Sequence, residues 1–309
     1  MGKPRQRTAA DGLVVIDKPA GVTSHDVVAR MRRVCGTRAV GHAGTLDPMA
    51  TGVLVLGIER ATKLLGHLTA SEKSYDATVR LGVATNTEDA EGEVMSVTPA
   101  GDLTVEQIRS AVAGLRGDLM QVPSAVSAIK VNGVRSYKRA RAGESFELPA
   151  RPVTVSRLDV LDIRPLGDTI DVDISLTCSA GTYVRALARD LGAALGVGAH
   201  LTALRRTAAG HFTLADASPL PEPGESVRLL PLRDVLEREY AVMHLDASQA
   251  AAVRHGIRIA TPERVAAGLT GLLDPEGTVL ALSEAHSGVW HHLAVFSAPD
   301  NAAPSGAVG

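Results

Sequence analysis

The chain has 309 residues, 45% of them hydrophobic, and a net charge of −2, the profile of an ordinary globular protein able to bury one large core or two smaller ones. No apolar run approaches the ~18 residues of a membrane span, and the basic start Met1–Arg7 is followed by Thr-Ala-Ala-Asp rather than an apolar signal core, so the chain reads as cytoplasmic. Cys35 and Cys178 lie far apart without partners at ligand spacing, and His291-His292 sits in an alternating apolar stretch, so neither a disulfide framework nor a metal site is assigned.

Residues 12–17 form a short apolar run that ends in the turn Lys18-Pro19-Ala20-Gly21, and they predict a buried strand. Ser24 is placed to cap a helix whose apolar stripe is Val27, Val28, Met31 and Val34, and whose polar side shows Arg30, Arg32 and Arg33. With Arg38, these arginines form a basic cluster in a window free of acids between Asp26 and Asp47. Lys130, Arg135, Lys138, Arg139 and Arg141 form a second such cluster, and a polyanion would bind these clusters rather than the overall charge.

From Gly41 to Gly52 the sequence is Gly-His-Ala-Gly-Thr-Leu-Asp-Pro-Met-Ala-Thr-Gly, with Asp47 as its one charged residue. Three glycines and a proline predict an irregular backbone, and an isolated acid held in such a loop is a candidate for chemistry. It is not a phosphate-binding P-loop, because no Gly-Lys-Ser/Thr follows at the required spacing.

Val53–Ile58 is apolar at consecutive positions, as expected of a strand covered on both faces, and Tyr75 to Val83 alternates like a half-buried one, placing the tyrosine ring near a strand end. Thr104–Leu115 carries a Thr104/Gln107 capping box and a helical stripe. Ile170–Cys178 alternates cleanly and runs through Ser179-Ala180-Gly181-Thr182 into a helix with Arg185 in its first turn, which can deliver a guanidinium to the sheet edge.

The charge balance changes at about residue 216: residues 1–215 hold 26 Lys/Arg against 22 Asp/Glu, and residues 216–309 hold 6 against 12. Pro219, Pro221, Pro223, Gly224 and Pro231 accompany the change and predict a linker. Beyond it, a helix at 248–255 and strands at 278–282 and 290–296 predict a compact β-rich module before a polar tail.

Four blocks resemble, in order, the bacterial tRNA pseudouridine synthases of the TruB family. They are Asp17-Lys18-Pro19-Ala20-Gly21-Val22-Thr23-Ser24, the Gly41–Gly52 loop, Pro123-Ser124-Ala125-Val126-Ser127-Ala128-Ile129-Lys130 with Gly133 and Tyr137, and Cys178-Ser179-Ala180-Gly181-Thr182-Tyr183-Val184-Arg185. The resemblance implies an α+β fold: a mixed, largely antiparallel sheet in a catalytic domain of pseudouridine synthase type, with a small β-rich PUA-like domain after it. The expected boundaries are a basic N-terminus at 1–10, the catalytic domain at 11–215, a linker at 216–240, the PUA-like domain at 241–298 and a disordered tail at 299–309.

The activity it implies is isomerisation of uridine to pseudouridine at position 55, in the T loop of tRNA, on a flipped-out base and with no metal or organic cofactor. The implied partner is tRNA, through its T arm, with no membrane, no obligate protein partner and a monomeric state. Asp47 would be the nucleophile, towards either ribose C1′ or uracil C6. Arg185 would be its ion-pair partner and Tyr75 the ring that stacks on the base. His42 would lie against the T loop, and Lys18 and Lys130 would contact phosphate. A tRNA-binding protein without catalysis is opposed by the joint presence of Asp47, Tyr75 and Arg185. A nucleic-acid glycosidase is opposed by the lack of a second acid near Asp47.

Overall fold

The computed structural model describes residues 10–69, 72–124, 130–131, 134–135, 148–265 and 267–296, with the backbone alone at 130–131 and 134–135. β1 (Gly12–Lys18) turns into α1 (Ser24–Val34). β2 (Val40–Ala43) and β3 (Thr51–Ile58) flank the loop that carries Asp47, and a 3-10 turn (Glu59–Leu64) and α2 (Leu65–Leu68) precede β4 (Lys73–Leu81). Next come the ribbon β5 (Val83–Thr85) and β6 (Val94–Val97), α3 (Val105–Ala113), β7 (Gly117–Gln121), β8 (Lys130–Val131) and β9 (Val134–Arg135). β10 (Arg151–Leu166), β11 (Thr169–Cys178), α4 (Val184–Leu195) and β12 (Ala199–Ala209) complete the main body.

Among the described residues the main sheet has eleven strands, counting β13 (Phe212–Thr213), β14 (Ser218–Pro219) and β15 (Leu230–Pro231). The central order is β14-β1-β3-β12-β4-β11-β10-β7, with β2, β13 and β15 pairing to β3, β12 and β1. Only the β12–β3 and β1–β14 pairs are parallel, so the sheet is mixed and largely antiparallel, as expected.

The consecutive apolar residues of β1 and β3 are explained by two cores. Val14, Ile16, Leu54 and Leu56 belong to one, with residues of α1, α3 and α4, while Leu13, Val15, Val53 and Val55 belong to the other, with residues of the C-terminal elements. A strand buried on both faces has no polar side to alternate with. α4 contributes Val184, Leu187, Ala188 and Leu191 to the first core, and each fully buried leucine there is worth about 1.5–3 kcal/mol.

α1 is capped by Thr23 rather than Ser24. Thr23 Oγ1 accepts from Asp26 N at 3.1 Å and Thr23 N donates to Asp26 Oδ2 at 2.8 Å, because Asp26 lies at the spacing a capping box requires. Ser24 is thereby turned inward. The predicted Thr104/Gln107 box is present on α3.

The proline-rich segment 216–240 is ordered. β14 and β15 pair with β1, and α5 (Leu232–Glu239) packs Leu232, Val235 and Leu236 into the second core. The C-terminal module is β16 (Ala241–His244), α6 (Ala247–Arg254), β17 (Leu269–Leu273), β18 (Val279–His286) and β19 (Val289–Val295), forming a four-stranded sheet in that strand order. Leu282, Ala294 and Phe296 of this module share the core with Leu13, Val53 and Leu64 of the main body. Lys63 Nζ donates to Val295 O at 2.5 Å, and Arg60 Nη1 donates to Phe296 O.

Candidate active site

The loop between β2 and β3 is gripped at the peptides on both sides of Asp47. Ser24 Oγ accepts from Leu46 N at 2.9 Å and donates to Leu46 O at 3.1 Å. On the other side Pro48 O accepts from Gly21 N at 2.9 Å and Lys18 Nζ at 3.2 Å, and Asp47 O accepts from Ala50 N at 3.1 Å. Gly52 ends the loop with φ +100°, where a Cβ would sit 2.2 Å from Arg206 O. β3 and β12 can approach this closely only with glycine at that position.

Asp47 faces the guanidinium of Arg185, delivered by the first turn of α4. Arg185 Nη2 donates to Asp47 Oδ1 at 3.2 Å, and Nε lies 2.9 Å from Oδ2. The other side of Arg185 is held by the turn between β5 and β6, where Nη1 donates to Thr87 O at 3.0 Å and lies 3.6 Å from Asp89 Oδ2. Arg185 and Asp89 side chains are 6% and 5% exposed, whereas Asp47 is 34% exposed, so the aspartate is the open end of the row. Burial pushes the Asp47 carboxyl above its usual range. Arg185 opposes that push, Asp89 adds to it and Lys18 opposes it.

Tyr75 lies in the interior of β4, opposite Leu176 on β11 and Arg206 on β12, and is 8% exposed. Burial raises its hydroxyl pKa against the opposing effect of Arg206, with Asp47 adding to the rise. His42 is on β2, half-buried, with its ring edge-on to His25 at 5.8 Å between centroids. Burial, His25 and Arg206 all favour its neutral form, and Nδ1 is enclosed without a hydrogen-bond partner among the described residues.

Lys18 does not occupy the surface position expected of a phosphate contact. It is 0% exposed, and its ammonium donates to Pro19 O, Val22 O and Pro48 O at 2.9, 2.8 and 3.2 Å. Burial brings its pKa down to about 8. Its charge is directed to the loop that carries Asp47 and to the turn after β1, an enclosure that charge patterning in the sequence does not reveal. The backbone of Lys130 begins β8, but its side chain lies outside the described residues, as does that of Arg135; Tyr137, Lys138, Arg139 and Arg141 lie wholly outside them. In the first basic cluster Arg30 pairs with Glu222 at 2.6 Å, and Arg32, Arg33 and Arg38 are exposed.

Two participants escaped the sequence reading. Asp89 sits in the acidic run Glu88-Asp89-Ala90-Glu91, where no single acid stands out. Arg206 is 1% exposed, with Nε donating to Val53 O at 2.7 Å and Nη2 to Gly44 O at 3.1 Å, so it ties both ends of the Asp47 loop to β12. Its strand was not legible because register shifts at Leu201/Ala203 and Arg206/Ala208 break the alternation. The arrangement offers one partly open carboxylate, a buried counter-charge and a ring beside them, suited to nucleophilic attack on an electrophilic carbon.

Residues 32–184 match the model of the TruB family pseudouridylate synthase N-terminal domain, and residues 185–222 match that of the tRNA pseudouridylate synthase B C-terminal domain. The chain is 55% identical to the tRNA pseudouridine synthase B of Streptomyces coelicolor over 297 residues, covering 94% of this chain and 99% of that one. It is 56% identical to the corresponding protein of Corynebacterium aurimucosum over 283 residues, covering 91% and 94%. Among solved structures, a Cbf5-Nop10-Gar1 complex is similar with a TM-score of 0.72 and 26% identity, over 96% of this chain and 88% of that one. An H/ACA RNP bound to a substrate RNA containing 2′-deoxyuridine is similar with a TM-score of 0.69 and 25% identity, over 94% and 86%.

Proposed function

Since the chain belongs to the TruB family of pseudouridylate synthases, isomerases that convert uridine to pseudouridine in tRNA, we propose that it acts on uridine 55 of the T loop with Asp47 as nucleophile. The observation that carries this reading is the Asp47–Arg185 pair, in which the buried partner is the cation and the partly open one is the carboxylate. A nucleophilic carboxylate must be ionised when substrate arrives, and the guanidinium offsets part of the burial that disfavours ionisation. Attack on ribose C1′ would break the N1–C1′ bond and release the uracil as an anion. Attack on uracil C6 would instead give a ring adduct. In the first route C5 then displaces Asp47 from C1′; in the second the N1–C1′ bond breaks, C5 bonds to C1′ and the carboxylate leaves C6. Both end with N1 taking up a proton and C5 releasing its own to solvent.

A uridine stacked in the folded tRNA must leave its stack to reach Asp47, at a cost of roughly a few kcal/mol. Tyr75 supports stacking of the extruded base, and His42, at the loop edge, supports contact with the T loop. Lys130 and the exposed arginines of α1 supply charge for phosphate. Unmodified tRNA incubated with the purified protein and mapped for pseudouridine tests the target. The expected product is one pseudouridine, at position 55, and modification confined to other positions or an abasic site would overturn the reading.

A further inference from the structure

The helix that presents Arg185 begins without a side-chain cap. Its N-cap residue, Tyr183, makes no capping hydrogen bond, whereas α1, α3 and α6 each begin with a complete capping box. An uncapped start leaves the first turn free to fray or rotate unless another element holds it. Here the holding group comes from a distant strand. Gln121, the last residue of β7, accepts from Tyr183 N at Oε1 (2.9 Å) and donates from Nε2 to Tyr183 O (3.2 Å).

Gln121 is 3% exposed, so water does not compete for this contact, and an amide that bonds both N–H and C=O of one residue fixes its rotation as well as its position. The Tyr183 carbonyl also accepts the first helical bond, from Leu187 N at 3.2 Å, so the phase of α4 is set at the residue Gln121 holds. One turn further along, Arg189 Nη2 donates to Val122 O at 2.9 Å, joining the same helix to the same strand end. Arg185 lies two residues beyond Tyr183.

We infer that Gln121 is a positioning residue for the reaction: by gripping the Tyr183 peptide it sets the first turn of α4 and so the place of the Arg185 guanidinium against Asp47. This rests on the reading of Asp47 as the nucleophile. The charged groups that act on Asp47 are Arg185 and Lys18 on one side of the balance and Asp89 on the other, and of these Arg185 is the one that α4 carries. Displacing the guanidinium weakens the opposition to burial and moves ionisation of Asp47 to higher pH.

The test uses the full chain, tRNA tritiated at uridine C5, and the variants Gln121→Met, which keeps the volume and loses both bonds, and Gln121→Asn, which withdraws the amide by one methylene. Single-turnover tritium release should fall by about tenfold or more in both, since a small misplacement of a catalytic group costs that much. The acid limb of the rate–pH profile should move to higher pH, with tRNA affinity within about twofold of the parent. A folded Gln121→Met variant with the parental acid limb overturns the inference whatever its rate, because a purely structural role would lower the rate and leave the limb in place. Should Gln121→Met not fold, Gln121→Asn decides by the same criterion. Asp47→Asn, run alongside, separates the two ideas: its full activity would sink the nucleophile reading instead.

Discussion

At Asp47 two opposed effects act on one carboxyl. Burial raises its pKa, the Arg185 guanidinium lowers it, and burial is the larger. A carboxyl with a raised folded pKa keeps its proton to higher pH, so the Asp47 anion, the proposed nucleophile, is lost earlier on acidification than for an ordinary aspartate, whose pKa is 3.8. The acid limb of single-turnover activity should therefore lie above that value, and Arg185→Gln should move it higher still while lowering the rate. A parental limb at or below the ordinary value would contradict the balance described. Asp47 and Arg185 were legible in the sequence, the first as the only charge in a glycine-rich loop and the second as an arginine just past a turn. Lys18 was misread as a phosphate ligand, because charge is visible in a sequence and the three carbonyls that surround it are not.

Among the elements, the β2–β3 loop depends on β12, and that dependence was the least legible part of the fold. β4, β11, α1, α3 and α4 follow from a regular apolar period or a cap, and β1 and β3 from unbroken apolar runs. β12 does not, because its bulges move Arg205 and Arg206 out of step with the pattern. The β3–β12 contact gives a sharp test. Gly52→Ala would place a methyl group 2.2 Å from Arg206 O at φ +100°, so it should lower stability by about 3 kcal/mol or more, read from the urea midpoint. Gly66→Ala meets nothing within 4 Å and should shift it by less than about 1 kcal/mol. Equal effects of the two would show that close approach is not what glycine serves at position 52.

For the whole molecule, the charge shift at residue 216 marks a change of composition without a gap in packing. The segment read as a linker contributes two strands and a helix, and Leu282, Ala294 and Phe296 share a core with the two-faced strands β1 and β3. Pro and Gly content reads as a linker, but a proline-rich segment can still pair and pack. The shared core predicts that the C-terminal module and the main body unfold together. Trp290, the single tryptophan, reports on the module, and far-UV circular dichroism reports on the whole chain. Their urea transitions should coincide, and separate midpoints would contradict a shared core. Residue, element and sheet together hold Asp47 as a partly exposed carboxylate beside a buried counter-charge. The most direct test is tritium release from tRNA labelled at uridine C5 by the parent and by Asp47→Asn. With Asp47 as nucleophile, the variant should bind tRNA with near-parental affinity and release no tritium above background; release at the parental rate would show that another group attacks the uridine.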